Sequence, residues 1–158
     1  MPQRLAYAKL SSGLYQKYLA FNTAVKETIA PTLVHLVTIR ASQINGCGFC
    51  LDMHIKEARI HGERELRLHH IAIWRESQLF DARERAALAW TEALTQLPPH
   101  GVPDALYQAT LEHFSDQELS DLSFLVVAIN GWNRINVAFT TEPGSADAAL
   151  GLDKAGLT

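Results

Sequence analysis

Residues 43–54 read QINGCGFCLDMH, and this stretch contains both cysteines of the chain. Cys47 and Cys50 are separated by two residues, and His54 follows four positions after the second cysteine. A helix is expected to begin near Gly46, just before the pair. Residues four apart lie on one face of a helix, so Cys50 and His54 should lie one above the other. The stretch therefore predicts a helix that presents a dithiol and a histidine in its first turns.

The sequence before and after this stretch has helical periodicity. Apolar side chains recur at spacings of three and four over about residues 11–29, as they do on one face of an amphipathic helix. Pro31 suits the first turn of a second helix, which we expect to run to about Asn45. The helix that carries the cysteines should end at Gly62, because glycine is common at the C-terminal cap.

Two capping boxes predict two further helices. Asp81 with Glu84, and Ser115 with Glu118, each place a side-chain acceptor three residues before a glutamate. The first of these helices should end before a pair of prolines, and the second should reach Phe139. No segment has the apolar and polar alternation of a strand, so the sequence predicts an all-α fold.

The length of the chain, 158 residues, suits one domain with a substantial core. We expect a single compact multi-helix domain over residues 1–158, with the CxxC at the N-terminus of a buried helix. Its core should cover about residues 11–141. Residues 142–158 are rich in glycine, alanine and aspartate, and we expect them to form a loosely held C-terminal arm.

The composition excludes several classes of partner. Hydrophobic residues make up 47% of the chain, charged residues 20%, and the formal net charge is −3. A chain with this balance lacks the positive surface that binds nucleic acids or anionic membranes. The first residues contain no continuous apolar run, so we expect no signal peptide, no membrane span and a cytoplasmic protein. In that reducing compartment a CxxC pair is more often redox-active or metal-binding than structural.

Three features of the stretch favour a reactive thiolate at Cys50. The helix N-terminus offers unpaired N–H groups and a positive potential, which stabilise an anion. His54 can accept the thiol proton and then remain beside the thiolate as a cation. Cys47 is close enough to capture a sulfenic acid as a disulfide. A cysteine with the ordinary pKa of about 8.5 is only slightly ionised at neutral pH, so this activation matters.

Three interpretations of the cysteine pair remain open. A buried cysteine is often no more than a small apolar side chain. Alternatively, Cys47, Cys50 and His54 could supply three zinc ligands, with a fourth from His35 or His61. No second ligand pair occurs at zinc-finger spacing, so a redox-active dithiol is the favoured interpretation.

Residues 40–59, RASQINGCGFCLDMHIKEAR, resemble the core motif of the AhpD-like alkylhydroperoxidases, within the wider carboxymuconolactone decarboxylase family. Residues 130–145, NGWNRINVAFTTEPGS, resemble the closing segment of the same proteins, and the resemblance covers roughly residues 30–145. It implies an all-helical fold that assembles into homotrimers or homohexamers. It also implies reduction of a small organic hydroperoxide at a cysteine pair, which a dithiol protein reduces again. We expect no cofactor and no metal.

The resemblance assigns a role to each residue of the motif. Cys50 would attack the peroxide and pass through a sulfenic acid, Cys47 would be the resolving thiol, and His54 would be the relay base. The AhpD pattern has a glutamate twelve residues before the first cysteine, and His35 stands there in this chain. A neutral histidine supplies no fixed negative charge, so we expect His54 to be a weaker base than in glutamate-bearing relatives. On this basis His35 assists proton transfer, and His35→Glu should raise the rate near neutral pH.

The favoured function is a thiol-dependent hydroperoxide reductase in antioxidant defence, with Cys50, Cys47, His54 and His35 as its site residues. The peroxide should enter a cavity near the cysteines lined by Phe49 and other side chains, among them a methionine, Met53. Two other functions remain open. A non-enzymatic redox-sensing or zinc-binding module would contain stoichiometric zinc. A cysteine-independent lyase of the decarboxylase group would keep its activity without either cysteine, although such decarboxylases generally lack the pair.

Overall fold

The computed structural model describes residues 2–157, and all regular elements in that range are helices, which confirms the predicted all-α fold. In chain order the α-helices are α1 (Tyr7–Leu10), α2 (Ser12–Glu27), α3 (Pro31–Asn45), α4 (Gly48–Ile60), α5 (Glu65–His70), α6 (Ala82–Gln96), α7 (Asp104–Leu111), α8 (Asp116–Ala138) and α9 (Asp147–Leu150). Short 3-10 helices, Ile71–Ile73 and Leu152–Ala155, come after α5 and α9.

Local sequence signals set several helix boundaries as predicted. Pro31 occupies the first turn of α3. At the start of α6, Asp81 Oδ1 accepts the N–H of Glu84 at 2.8 Å. At the start of α8, Ser115 Oγ accepts the N–H of Glu118 at 3.2 Å. Each glutamate carboxylate in turn accepts the N–H of its capping residue, so both predicted capping boxes are present.

Helix α3 lies at the centre of the fold and contacts α4, α6 and α8. Its side chains Leu36, Val37 and Ile39 are fully buried. A helix at the surface keeps one polar face, whereas α3 is enclosed on several sides because its apolar residues are not confined to one stripe. Since α4 follows α3 after a short turn, this central helix determines where the cysteine stretch lies.

A buried amide network joins the end of α3 to α8. Asn133 Nδ2 donates to Ser42 Oγ at 3.0 Å, and Asn133 Oδ1 accepts Asn45 Nδ2 at 2.9 Å. Asn133 is fully buried, so these hydrogen bonds satisfy a polar group that would otherwise be costly to remove from water. The network holds α8 against the turn that precedes the cysteines.

Residues 142–158, expected to form a loosely held C-terminal arm, are joined to α4 at two points. Lys56 of α4 is buried, and its Nζ contacts Asp147 Oδ2 at 2.6 Å and Asp52 Oδ2 at 2.8 Å. Leu152 is also buried, and its 3-10 helix packs on α4. The expectation of a loosely held arm came from composition alone. The ion pair between Lys56 and Asp147 joins residues 91 positions apart, so no local sequence pattern indicates it. The last residue of the arm lies outside the described range.

Tyr18 packs its ring against the backbone of α8 at Gly131. Its hydroxyl donates to the carbonyl oxygen of Ala128 at 2.8 Å. A Cβ atom at position 131 would lie only 1.9 Å from the Tyr18 hydroxyl oxygen, so only glycine leaves room for this ring. The contact joins α2 to α8 beside Trp132, whose ring centroid lies 4.7 Å from that of Tyr18.

Gly131→Ala should therefore lower the free energy of unfolding by about 1–3 kcal/mol, because the added methyl group displaces the Tyr18 ring. Urea unfolding followed by circular dichroism measures this change. Gly13→Ala is the matched control, since a Cβ atom at Gly13 of α2 would have no neighbour within 4 Å. An alanine at position 131 that is as stable as the control variant would contradict the packing described.

No helix within residues 2–157 combines the length and the apolar character needed to cross a lipid bilayer.

Candidate active site

The cysteine stretch forms the corner between α3 and α4. Gly46 ends α3 in the left-handed conformation with φ 63°, which favours glycine because side chains with a Cβ atom are strained there. Cys47 is then the N-cap of α4, and Cys50 lies in its first turn. The sequence predicted a helix from near Gly46, and the structure begins it at Gly48. The glycine therefore closes the preceding helix and turns the chain into the next one.

Cys47 and Cys50 are joined by a disulfide, with their Cα atoms 5.4 Å apart. Both cysteines are almost completely buried. The N–H of Cys50 points at Cys47 Sγ at 3.3 Å, so the amide at the helix N-terminus contacts the first cysteine. From the sequence, the N–H groups of the helix N-terminus were expected to stabilise a thiolate on Cys50. In the reduced protein the amide is placed to stabilise a thiolate on Cys47.

His54, which is buried, forms a pair with the partly exposed Glu57 on the next turn of α4. The distance from His54 Nδ1 to Glu57 Oε2 is 2.7 Å. An ionised carboxylate can only accept a hydrogen bond, so Nδ1 carries the proton and Nε2 is free to act as a base. Lys26 of α2 approaches the same carboxylate, with Nζ 3.6 Å from Oε2. Glu57 therefore supplies beside His54 the fixed negative charge that His35 cannot.

The environment sets the charge states of this pair. Burial lowers the pKa of His54, and the hydrogen bond and negative charge of Glu57 oppose that shift. Burial by itself would raise the pKa of Glu57, but the hydrogen bond from His54 and the nearby positive charges lower it to about 2. At neutral pH the site therefore holds a neutral imidazole that donates to a carboxylate anion.

His35 pairs with a second histidine. The ring nitrogens His35 Nε2 and His61 Nδ1 lie 3.0 Å apart. Burial, together with the charge of His61, lowers the pKa of His35 to about 4, so its ring is neutral near pH 7. Among the hydrogen bonds of residues 2–157, the His35 side chain makes this one and none to His54. His61, named in the zinc interpretation as a possible ligand, contacts this buried ring.

A cavity of about 520 Å³, which we name the main cavity, opens beside Cys50. Cys50, His54 and Glu57 line it from α4, and side chains of α2, α8 and α9 complete its walls. Phe49 and Met53 both line it, which confirms the predicted cavity near the cysteines. Most of the lining is apolar, so the space suits a small organic molecule with one polar group directed at Cys50.

Asn136 of α8 contacts Cys50 from the side opposite α4. Its Nδ2 lies 3.7 Å from Cys50 Sγ and donates to the carbonyl oxygen of Trp132 at 2.9 Å. The hydroxyl of Tyr7 donates to Asn136 Oδ1 at 2.9 Å, which fixes the orientation of the amide. An N–H group is therefore held towards the sulfur, where it can stabilise negative charge.

The side chains of residues 2–157 include no group of three or more His, Cys, Asp or Glu residues placed to hold a metal ion. The zinc interpretation took a fourth ligand from His35 or His61. In the structure both cysteines are in the disulfide, and those two histidines contact each other.

Sequence reasoning missed two residues of this site. Glu57 lies three residues after His54, a spacing that places both on one helix face and was available from the sequence. Attention to the position twelve residues before the first cysteine directed the search to His35 instead. Asn136 lies 86 residues from Cys50, and no local pattern links them.

The chain is similar to several known proteins. The sequence model described as the Carboxymuconolactone decarboxylase family matches residues 13–93. The uncharacterized protein YdfG of Bacillus subtilis is 36% identical over 146 residues, which cover 92% of this chain and 99% of YdfG. A crystal structure from Agrobacterium tumefaciens, of a protein of unknown function named as a candidate antioxidant defence protein AhpD, has 38% identity and a TM-score of 0.87. The match covers 90% of this chain and 98% of that one.

A more distant structure shares the fold. It is the alkylhydroperoxidase AhpD core of an uncharacterized peroxidase-related protein from Ralstonia eutropha, with 19% identity and a TM-score of 0.77 over 87% of this chain and 74% of that one. The all-helical fold with its CxxC and histidine defines an AhpD-like protein. The chain belongs to the carboxymuconolactone decarboxylase family.

Proposed function

We propose that this protein is a thiol-dependent reductase of small organic hydroperoxides. The observation that carries the proposal is the position of Cys50. It lines the main cavity beside the His54–Glu57 pair, and it is joined to Cys47 as the disulfide that such a cycle would leave.

In the first step Cys50 attacks the peroxide. His54 Nε2 takes the proton of the Cys50 thiol, and Glu57 stabilises the imidazolium that forms. The thiolate attacks the terminal oxygen of the hydroperoxide, forming an S–O bond as the O–O bond breaks. The departing alkoxide takes the proton from His54 and leaves as an alcohol. Asn136 Nδ2 donates towards the sulfur while it is negatively charged.

In the second step the sulfenic acid on Cys50 is resolved. The thiolate of Cys47, stabilised by the N–H of Cys50, attacks the Cys50 sulfur. The S–S bond forms, the S–O bond breaks, and the leaving hydroxide is protonated to water. A dithiol reductant then restores both thiols and becomes a disulfide itself. Each sulfur therefore has an N–H donor beside it when it is a thiolate: Asn136 Nδ2 for Cys50 and the backbone N–H of Cys50 for Cys47.

The catalytic part first given to His35 stays a prediction, but its basis has changed. In the family pattern a glutamate at the position of His35 would provide a carboxylate for the relay histidine. In this chain Glu57 provides that carboxylate. A glutamate at position 35 would add a second negative charge near His54, so the expected rate increase now depends on how strongly Glu57 already polarises that ring. The mechanism above routes no proton through the neutral His35–His61 pair.

Turnover tests the proposed function directly. The reduced protein, with dithiothreitol as the dithiol, should consume cumene hydroperoxide catalytically, as followed by residual peroxide. The matched control is the double variant Cys47→Ser with Cys50→Ser, which has neither sulfur. Equal consumption of the hydroperoxide by the two proteins would exclude the thiol mechanism.

We also propose assembly of the chain into a homotrimer or homohexamer through an apolar face of α2 and α8. Leu14 is 72% exposed and Phe124 is 53% exposed. Both lie near Phe21, which shares an apolar cavity with Leu14 and has its ring centroid 6.1 Å from that of Phe124. A contiguous exposed apolar surface is typical of a protein–protein interface. Light scattering of the purified protein tests this, because a monomeric mass would contradict it.

A further inference from the structure

The Cys47–Cys50 disulfide is reached from two sides. The main cavity is lined by Cys50, and Cys47 is absent from its walls. A second cavity of about 280 Å³, on the other side of the pair, is lined by Cys47 and not by Cys50. Phe49 and Asn136 line both spaces, so they form the partition between them together with the disulfide.

Cys47 is only 2% exposed, yet it lines the second cavity between two glycines. Gly46 and Gly48 flank the cysteine, and both are exposed and line this cavity. Neither has a side chain that could cover the sulfur. The remaining walls come from the end of α8 and from the segment after it, which includes Thr141. The second cavity is therefore a depression that borders Cys47 and not Cys50.

Thiol–disulfide exchange has a directional requirement. The attacking thiolate approaches along the line of the S–S bond, from the side opposite the sulfur that leaves. A thiolate in the second cavity meets Cys47 and expels Cys50, whereas a thiolate in the main cavity meets Cys50 and expels Cys47. The two cavities thus correspond to the two possible directions of reduction.

We infer that the second cavity is the access route for the dithiol reductant, which attacks Cys47. This rests on the proposed function, in which a dithiol closes the cycle. The donor thiolate forms an S–S bond with Cys47, the Cys47–Cys50 bond breaks, and its electron pair leaves on Cys50. The second thiol of the donor then attacks the first donor sulfur, which is bound to Cys47 in the mixed disulfide, and Cys47 is expelled. The donor ends as a disulfide, and the protein gains two electrons and two protons.

Each departing sulfur has a group that assists it in this order. Cys50 leaves into the main cavity, where Asn136 Nδ2 faces its sulfur. Cys47 leaves second, and the N–H of Cys50 faces its sulfur. Because the leaving tendency of a thiol rises as its thiolate is stabilised, both steps are favoured. The main cavity stays free of the reductant, so hydroperoxide and dithiol do not compete for one space.

Blocking each cavity in turn tests the inference. Val137 is exposed at the rim of the second cavity, and Ala149 is exposed at the rim of the main cavity, so Val137→Trp and Ala149→Trp are matched variants. Each protein is oxidised with diamide, and its reduction by dithiothreitol is followed by quenched thiol counts. Val137→Trp should slow reduction about tenfold, and Ala149→Trp should leave it within about twofold, since exchange rates depend on access to the sulfur. The reverse order, or equal effects, would overturn the inference.

A map of the mixed disulfide tests the same point on the unaltered protein. A short pulse of 2-mercaptoethanol on the oxidised protein is stopped with N-ethylmaleimide, and peptides are analysed by mass. The adduct should lie on Cys47 with the maleimide on Cys50, and an adduct mainly on Cys50 would contradict the route. No peroxide enters this experiment or the reduction assay. Failure to turn over hydroperoxide would therefore count against the proposed function and leave this result standing.

Discussion

Cys50→Ser should lower the rate of oxidation by cumene hydroperoxide by about a thousandfold or more, because a serine hydroxyl cannot supply the soft, ionised nucleophile that the O–O bond requires. Cys50 is the cysteine that lines the main cavity, and the His54–Glu57 pair lines that cavity with it. Stopped-flow mixing of the reduced variant with hydroperoxide, followed by quenched thiol counts, measures the rate.

Cys47→Ser is the matched control, and it should block the second step of the cycle and not the first. The first oxidation should keep its rate within about threefold, since the attacking sulfur and its base are intact. The reaction should then stop at a sulfenic acid on Cys50, which dimedone traps, and excess peroxide should carry it on to the sulfinic acid. Equal loss of the first step in both variants would contradict the assignment of separate roles to the two cysteines.

Glu57→Gln should lower the same oxidation rate by about ten- to a hundredfold, because it removes the charge that orients His54 and stabilises its imidazolium. His54 accepts a proton only in its neutral form, so the rate rises with pH through the pKa of this ring. Burial lowers that pKa, and Glu57 opposes the shift. Without the carboxylate the pKa falls further. The acid limb of the pH profile should therefore move to lower pH, while the plateau rate drops because the base is weaker.

Glu27→Gln controls for a general effect of charge in the cavity. Glu27 of α2 also lines the main cavity, but it is exposed and makes no hydrogen bond to His54 among the described contacts. Its replacement should leave both the plateau and the acid limb in place. A Glu57→Gln profile that coincides with the control would mean that His54 works without its carboxylate partner, and the relay described above would be incorrect.

The elements of the fold could be predicted largely from the sequence because their signals are local. A capping box such as Asp81 with Glu84, or a proline such as Pro31 at a first turn, acts within one turn of helix. The same locality explains why Cys50 and His54 lie on one face of α4 and line the same cavity. Glu57 has an equally local relation to His54, and it was overlooked because a family position directed attention to His35.

The remaining features depend on residues distant in sequence. Asn136 reaches Cys50 only because the buried amide network around Asn133 holds α8 against the α3–α4 corner. The segment after residue 141 is fixed by a buried lysine, Lys56, whose partner Asp147 is 91 residues away. Helical periodicity says which face of a helix is buried, but it does not say which other helix covers that face. Tertiary packing therefore decides the second wall of the site.

The most direct test of the central claim is a single-turnover thiol count. The reduced protein is mixed with one equivalent of cumene hydroperoxide, and free thiols are counted over seconds before peptides are analysed by mass. The account predicts rapid loss of two thiols per chain and an intramolecular Cys47–Cys50 disulfide. Thiols that persist for many minutes, or a loss without that disulfide, would contradict a peroxide-reducing cysteine pair.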